Sequence, residues 1–354
     1  MTAAATALDD VAAVAQRLAV LLAAGITPER AWQFVAMPAG GAADTHAAVE
    51  SAAPAPGRRS AAGWTASAPG AGAMDTCDVV RVAADAAQRA RDVAAVIGQR
   101  CALAPPFGIA RHRALAWGLF AATWDVAVRS GAPLAATLQS FAAGIRHAAA
   151  LHRELGVAFA GPKSTARLVG MLPLVALGFG LLLGFDTAHV LAATPIGWGC
   201  LAAGFGLMLA SRRWSRRLLA AAEPHELVPG IEPELVAVAM GSGVSVQRAR
   251  ELVSAALAAY APFLGEAAEG GADARAVDAV IALAAQAGVP TVGLLRAEAE
   301  RRRADADAAG RSAVASVAVR LMVPLAVCAL PAFMVLGVVP VLVALFAGSG
   351  IRFG

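Results

Sequence analysis

From Asp9 the stretch DDVAAVAQRLAVLLAAG sets Val11, Val14, Leu18 and Leu21 at three- and four-residue steps, which is one face of a helix, and Gly25 ends it. ITPERAW restarts a helix: Thr27 can cap it, Pro28 suits a first position that needs no amide hydrogen, and Glu29 favours the positive end of the dipole. A helical hairpin is predicted. The phrase recurs as VAVAMGSGVSVQRARELV, with Gly243 as the stop, Ser245 as the cap, and Val246, Ala249, Val253 and Ala256 or Leu257 on the buried face. A second phrase is also duplicated. FAATWDVAVRSGAPLAATLQSFAAGIR matches VDAVIALAAQAGVPTVGLLRAEAERRR, aligning Gly131 with Gly288 and Pro133 with Pro290. The chain therefore reads as two tandem units, each a bundle of short antiparallel helices.

Three uncharged windows interrupt this pattern. They lie between Arg167 and Asp186, between His189 and Arg212, and from Leu321 to Ile351. About 20 apolar residues span a bilayer core, so each window predicts a crossing. Pro173 falls in the first, and Pro324, Pro331 and Pro340 fall in the third, where they predict a kinked helix packed against other helices.

Composition and charge fit that picture. A mean hydropathy of +0.64 and 58% hydrophobic residues exceed what an ordinary soluble domain carries. Positive residues mark the cytoplasmic side: Arg153, Lys163 and Arg167 precede the first window, and the basic anchor Arg212, Arg213, Arg216 and Arg217 follows the second. Asp186 and His189 then sit at an external hairpin tip. The expected fold class is all-α, an integral membrane protein with two tandem cytoplasmic helical bundles and three transmembrane helices. Its expected parts are a first cytoplasmic domain over 1–166, a transmembrane hairpin over 167–211, a second cytoplasmic domain over 212–319, a third transmembrane helix over 320–346 and an external tail over 347–354. The expected location is the cytoplasmic membrane, multi-pass, with the N-terminus inside and the C-terminus outside. The opening segment has no positive n-region and does not resemble a secretory signal.

Residues of about 38–78 are rich in Pro, Gly, Ala and Ser without helical period and read as a disordered insertion. The alternating charges of EAERRRADADAAGR place Arg301 four before Asp305 and Arg303 four before Asp307, support for a solvated helix. Cys77, Cys101, Cys200 and Cys328 are scattered and form no C-x-x-C pair, so neither a disulfide framework nor a zinc site is expected. The sequence holds no H-E-x-x-H, G-x-S-x-G or Walker motif. No catalytic residue, cofactor or metal is expected, and the chain reads as a non-enzyme. A pI near 9.3 does not imply nucleic acid, because the basic residues cluster beside the windows, where lipid headgroups are the simpler partner.

These features together resemble the type II secretion system F family, in the fused form of the tight-adherence (Flp) pilus platform proteins. The helical bundles with glycine turns, the basic segment RRWSRR and above all VPLAVCALPAFMVLGVVPVL carry the likeness. The resemblance implies an inner-membrane platform that couples a hexameric assembly ATPase to the insertion of pilin-like subunits into a filament. It implies no cofactor, and it makes the turn glycines Gly25, Gly131, Gly243 and Gly288 and the prolines of the final helix architectural. Where some relatives carry an acid before the second glycine of a bundle, this chain has VRSG and AQAG, so no metal site carries over. Expected partners are the ATPase, pilin-like subunits, membrane lipids and further copies of the chain. Two other classes stay open: a small-solute transporter or channel component, which the repeat supports, and a membrane-anchored signalling adaptor.

Overall fold

A computed structural model describes residues 2–37, 75–105, 108–158, 195–220, 228–264, 271–320 and 330–339, together with a few isolated positions. All regular structure among the described residues is helical. In chain order the helices are α1 (Thr2–Ala23), α2 (Pro28–Ala36), α3 (Thr76–Gln88), α4 (Val93–Ala102), α5 (Gly108–Ser130) and α6 (Leu134–Ala158). Then come α7 (Pro195–Ala220), α8 (Ile231–Gly241), α9 (Val246–Leu264), α10 (Gly271–Ala287), α11 (Thr291–Arg320) and α12 (Leu330–Phe333), the last running into a π-helix over Met334–Val338.

The chain divides into two compact units. The first joins Met1–Arg153 to His225–Ala306, and the second joins Glu154–Pro224 to Asp307–Gly354.

In the first unit α5 is the central helix, with α1, α4, α8 and α9 packed around it. A central helix must be apolar on every side, and the run from Ala116 to Thr123 is buried without interruption. Its Trp117, Phe120 and Trp124 form an aromatic cluster with Trp32 of α2 and Phe141 of α6. The Trp32 and Phe120 ring centroids lie 5.8 Å apart edge to face, and those of Phe120 and Phe141 lie 5.7 Å apart. Around this cluster the packing is largely alanine and valine, including Val11, Ala12, Val14, Ala15 and Leu18 of α1. Alanine pays little entropy to be helical and lets axes approach closely.

The hairpin turns share one chemistry. After α1, Gly25 takes φ +82°, its amide donates to the Leu22 carbonyl at 3.0 Å, and the Ile26 amide donates to the Leu21 carbonyl at 3.1 Å. Gly131 and Gly288 stand in the same place after α5 and α10, where the Ala132 amide reaches the Ala127 carbonyl and the Val289 amide the Ala284 carbonyl. The paired bonds satisfy carbonyls that a helix end leaves open, and the left-handed residue between them favours glycine. Before α9, Ser245 caps by accepting from the Arg248 amide at 3.3 Å.

The expectation of an integral membrane protein is corrected. Among the described residues no helix is long and apolar enough to cross a membrane. The second window shows why: α7 opens on Pro195 and reaches Arg212 after 17 residues, and Gly197, Gly199, Gly204 and Gly206 dilute its apolar character. That run falls short of the ~20 strongly apolar residues a crossing asks for. The first window, with Pro173, and the hairpin tip with Asp186 and His189 lie outside the described residues, apart from isolated positions in the window. In the third, Pro324 and Pro340 also lie outside them, while Pro331 sits in α12 directly before the π-helix. Neither the three transmembrane helices nor the multi-pass inner-membrane location is retained. Of the expected insertion, residues 38–74 lie outside the described residues and 76–78 open α3.

Candidate interaction surface

In the second unit, α12 and the π-helix pack against α7. The burial pattern of α7 separates its two sides. Gly204 is buried and Leu201, Leu207, Met208 and Ser211 are half-buried, all within one half of the helical wheel. The other half faces outward and is apolar. Trp198, Phe205 and Leu209 are 65%, 64% and 53% exposed and fall on one line along the helix with Ala202. Beside that ridge runs a parallel row of small exposed residues, Gly199, Ala203, Gly206 and Ala210. Past them the charge changes abruptly, with Arg212, Arg213 and Arg217 exposed on the last turns of α7 and Trp214 among them. Arg216 belongs to the same helix. Large apolar side chains grouped on one outward face, bordered by charge, mark a contact surface rather than scattered surface hydrophobes.

The charged residues of the first unit do a different job. Arg302 pairs with Asp273 and, at 3.1 Å, with Glu298; Arg303 reaches Glu234 at 3.2 Å, and Glu234 also accepts from the Ser140 hydroxyl at 2.9 Å. Burial pushes the Glu232 carboxyl up to about 7, with the Asp273 charge adding to the effect and Arg250 opposing it. Burial likewise raises Asp273, against the pull of Arg302. The network ties α8, α10 and α11 together through partly buried charges that neutralise one another. On the surface, Arg301 does pair with Asp305 at 2.9 Å. Spacing along one helix assigned Arg303 to Asp307 and missed its bond to Glu234, 69 residues away in sequence.

Among the described residues no group of three or more His, Cys, Asp or Glu side chains could hold a metal ion. Cys101 is buried on α4, where burial pushes its thiol up to about 12. The turn glycines Gly25, Gly131, Gly243 and Gly288 all have positive φ and stand at separate helix ends.

No protein-family model matches the chain, and comparison with curated proteins and with solved structures found no match. The resemblance to the type II secretion system F family is therefore corrected, and the pilus platform role and inner-membrane setting fall with it. The glycine turns, one part of what carried the likeness, are general helix chemistry. Glycine after a helix and proline at or near the start of the next belong to helical hairpins of any origin.

Proposed function

We propose that the chain is a non-catalytic helical scaffold that works by protein–protein contact, with the outward face of α7 as its docking surface. The observation that carries this reading is the exposure of Trp198, Phe205 and Leu209 on one side of a single helix. Aromatic and large aliphatic anchors on a rigid helix face are the elements that a helix-in-groove contact uses. The alanine-rich first unit supports the scaffold half of the reading. Asp273 and Glu234 are each held by an arginine from another helix, an arrangement that fixes helix positions.

The test is site-specific photo-crosslinking in the native cell, with a benzophenone side chain at position 205 and, as a control, at the exposed Ala258 of the first unit. Protein adducts should form at 205 and be absent at 258. A folded, expressed chain that yields no protein adduct at 205 refutes the docking role.

A further inference from the structure

One carboxylate in the charged network of the first unit has no cation of its own. Asp273 is paired with Arg302, Glu298 with Arg301 and Arg302, Glu234 with Arg303, and Asp278 with Arg250 at 2.7 Å. Glu232, in the first turn of α8, makes no ion pair and no side-chain hydrogen bond among the described residues. It is half-buried, and its own main chain hydrogen-bonds the carboxyl of Asp273 on α10, which is buried. Burial acts most strongly on Glu232, Asp273 and Asp278 add to it, and Arg250 of α9 and Arg302 of α11 oppose it. α5 is tied to the opposite end of α8, where the Ser242 hydroxyl donates to the Ser130 carbonyl at 2.7 Å, and brings no charge to this corner. A carboxylate withdrawn from water beside a second one favours its neutral form, so the corner closes most stably with a proton on Glu232.

This corner holds the start of α8 against α11. A Cβ on Gly230 would fall 2.8 Å from the Ala299 carbonyl oxygen, so the two main chains touch, and one turn further along α11 Arg302 and Arg303 reach Asp273 and Glu234. α11 belongs to the first unit as far as Ala306 and continues as the same helix to Arg320. We propose that the proton on Glu232 is a latch: with it in place the first turns of α8 stay docked on α10 and α11, and its loss lets them open while the rest of the bundle stays closed. Ionised, Glu232 is repelled by Asp273 and Asp278 and regains its hydration when the start of α8 moves outward. The latch is therefore strongest below about pH 4.5, the open-chain value, and is lost as pH rises through about 7.

The experiment is amide hydrogen exchange on the full chain at about pH 6 and about pH 8, with labelling times scaled to equal chemical exchange. One proton linked to values near 7 closed and 4.5 open should make opening about 10-fold more frequent at the higher pH. Peptides over 231–241 should show that change, exchange faster than those over 116–123 of α5, and be insensitive to low urea, because a local opening exposes little surface. Glu232→Gln cannot ionise and should give α8 the same protection at both pH values. Glu251→Gln, at an exposed carboxylate of α9 paired locally with Arg248, should behave as the parent. Equal protection of 231–241 at both pH values overturns the proposal. So does exchange of α8 and α5 at one common rate with one common urea dependence, since α8 would then open only with the whole unit. A pH difference that survives in Glu232→Gln overturns it as well, assigning the titration to another group. The pH and urea comparisons are made on the parent chain and decide the matter whether or not that variant folds.

Discussion

Gly230 separates two ways in which a glycine can be required. It precedes α8 with φ +70°, and a Cβ built there would lie 2.8 Å from the Ala299 carbonyl oxygen and 3.0 Å from the Ala299 Cα. Gly131 has nearly the same conformation, φ +73°, with nothing within 4 Å of its Cβ position. Alanine at Gly131 therefore meets only the left-handed backbone penalty, about 1–2 kcal/mol. At Gly230 it meets that penalty and a clash with the main chain of α11, where Ala299 is fully buried and the helix must shift to make room. Overpacking of this kind costs about 1–3 kcal/mol more, so Gly230→Ala should destabilise by roughly 2–5 kcal/mol in total. The assay is urea unfolding followed by far-UV circular dichroism, with both variants measured against the parent. Equal losses for the two substitutions would refute the close approach of α8 and α11. A Gly230→Ala loss no larger than about 1 kcal/mol would refute the left-handed turn as well.

Two further predictions concern the buried charges. Because the Glu232 carboxyl titrates near 7 when folded and near 4.5 in an open chain, the native state binds more protons between those values. The stability it confers is complete below about pH 4.5 and is lost as pH rises through 7, a difference of about 1–2 kcal/mol after allowing for partial solvent screening. Glu232→Gln should remove that slope from a series of urea midpoints, and an unchanged slope would sink the assignment. Arg302→Ala leaves Asp273 buried without its cation and should cost about 3 kcal/mol. Arg301→Ala, with its side chain 60% exposed, should move the midpoint far less than Arg302→Ala; equal midpoints would contradict the network.

Much of the first unit was legible in the sequence because its signals are local. The steps of Val11, Val14 and Leu18 pointed to the buried side of α1, and Ser245 to the start of α9. Local reasoning failed where the deciding contact is distant or the usual residue is missing. The turn between α3 and α4 closes with the Arg91 amide on the Ala86 carbonyl around Ala90 at φ +50°, so alanine stands where glycine is customary and nothing marked a stop. Arg303 binds across to α8, and only the fold reveals it. The candidate site was half visible. Its apolar residues stood out, but an uncharged run alone does not distinguish a crossing helix from one packed on one side and bare on the other. Length and hydropathy of the helix as it forms decide that: among the described residues no helix is long and apolar enough to cross a membrane.

The alanine-filled interior around α5 inverts the usual pattern of vulnerability. Cores built from leucine and isoleucine are damaged by truncation, since each lost methyl leaves a void. Here Ala116, Ala121 and Ala122 have little to lose on α5, and Ala83, Ala86 and Ala94 line α3 and α4 in the same way. Their neighbours are spaced for a single methyl, so damage comes from growth. A random change at such a position almost always adds atoms, which makes inherited variation in this bundle asymmetric: the outer faces of its helices are free to drift, while the seams between them are held to the smallest side chains.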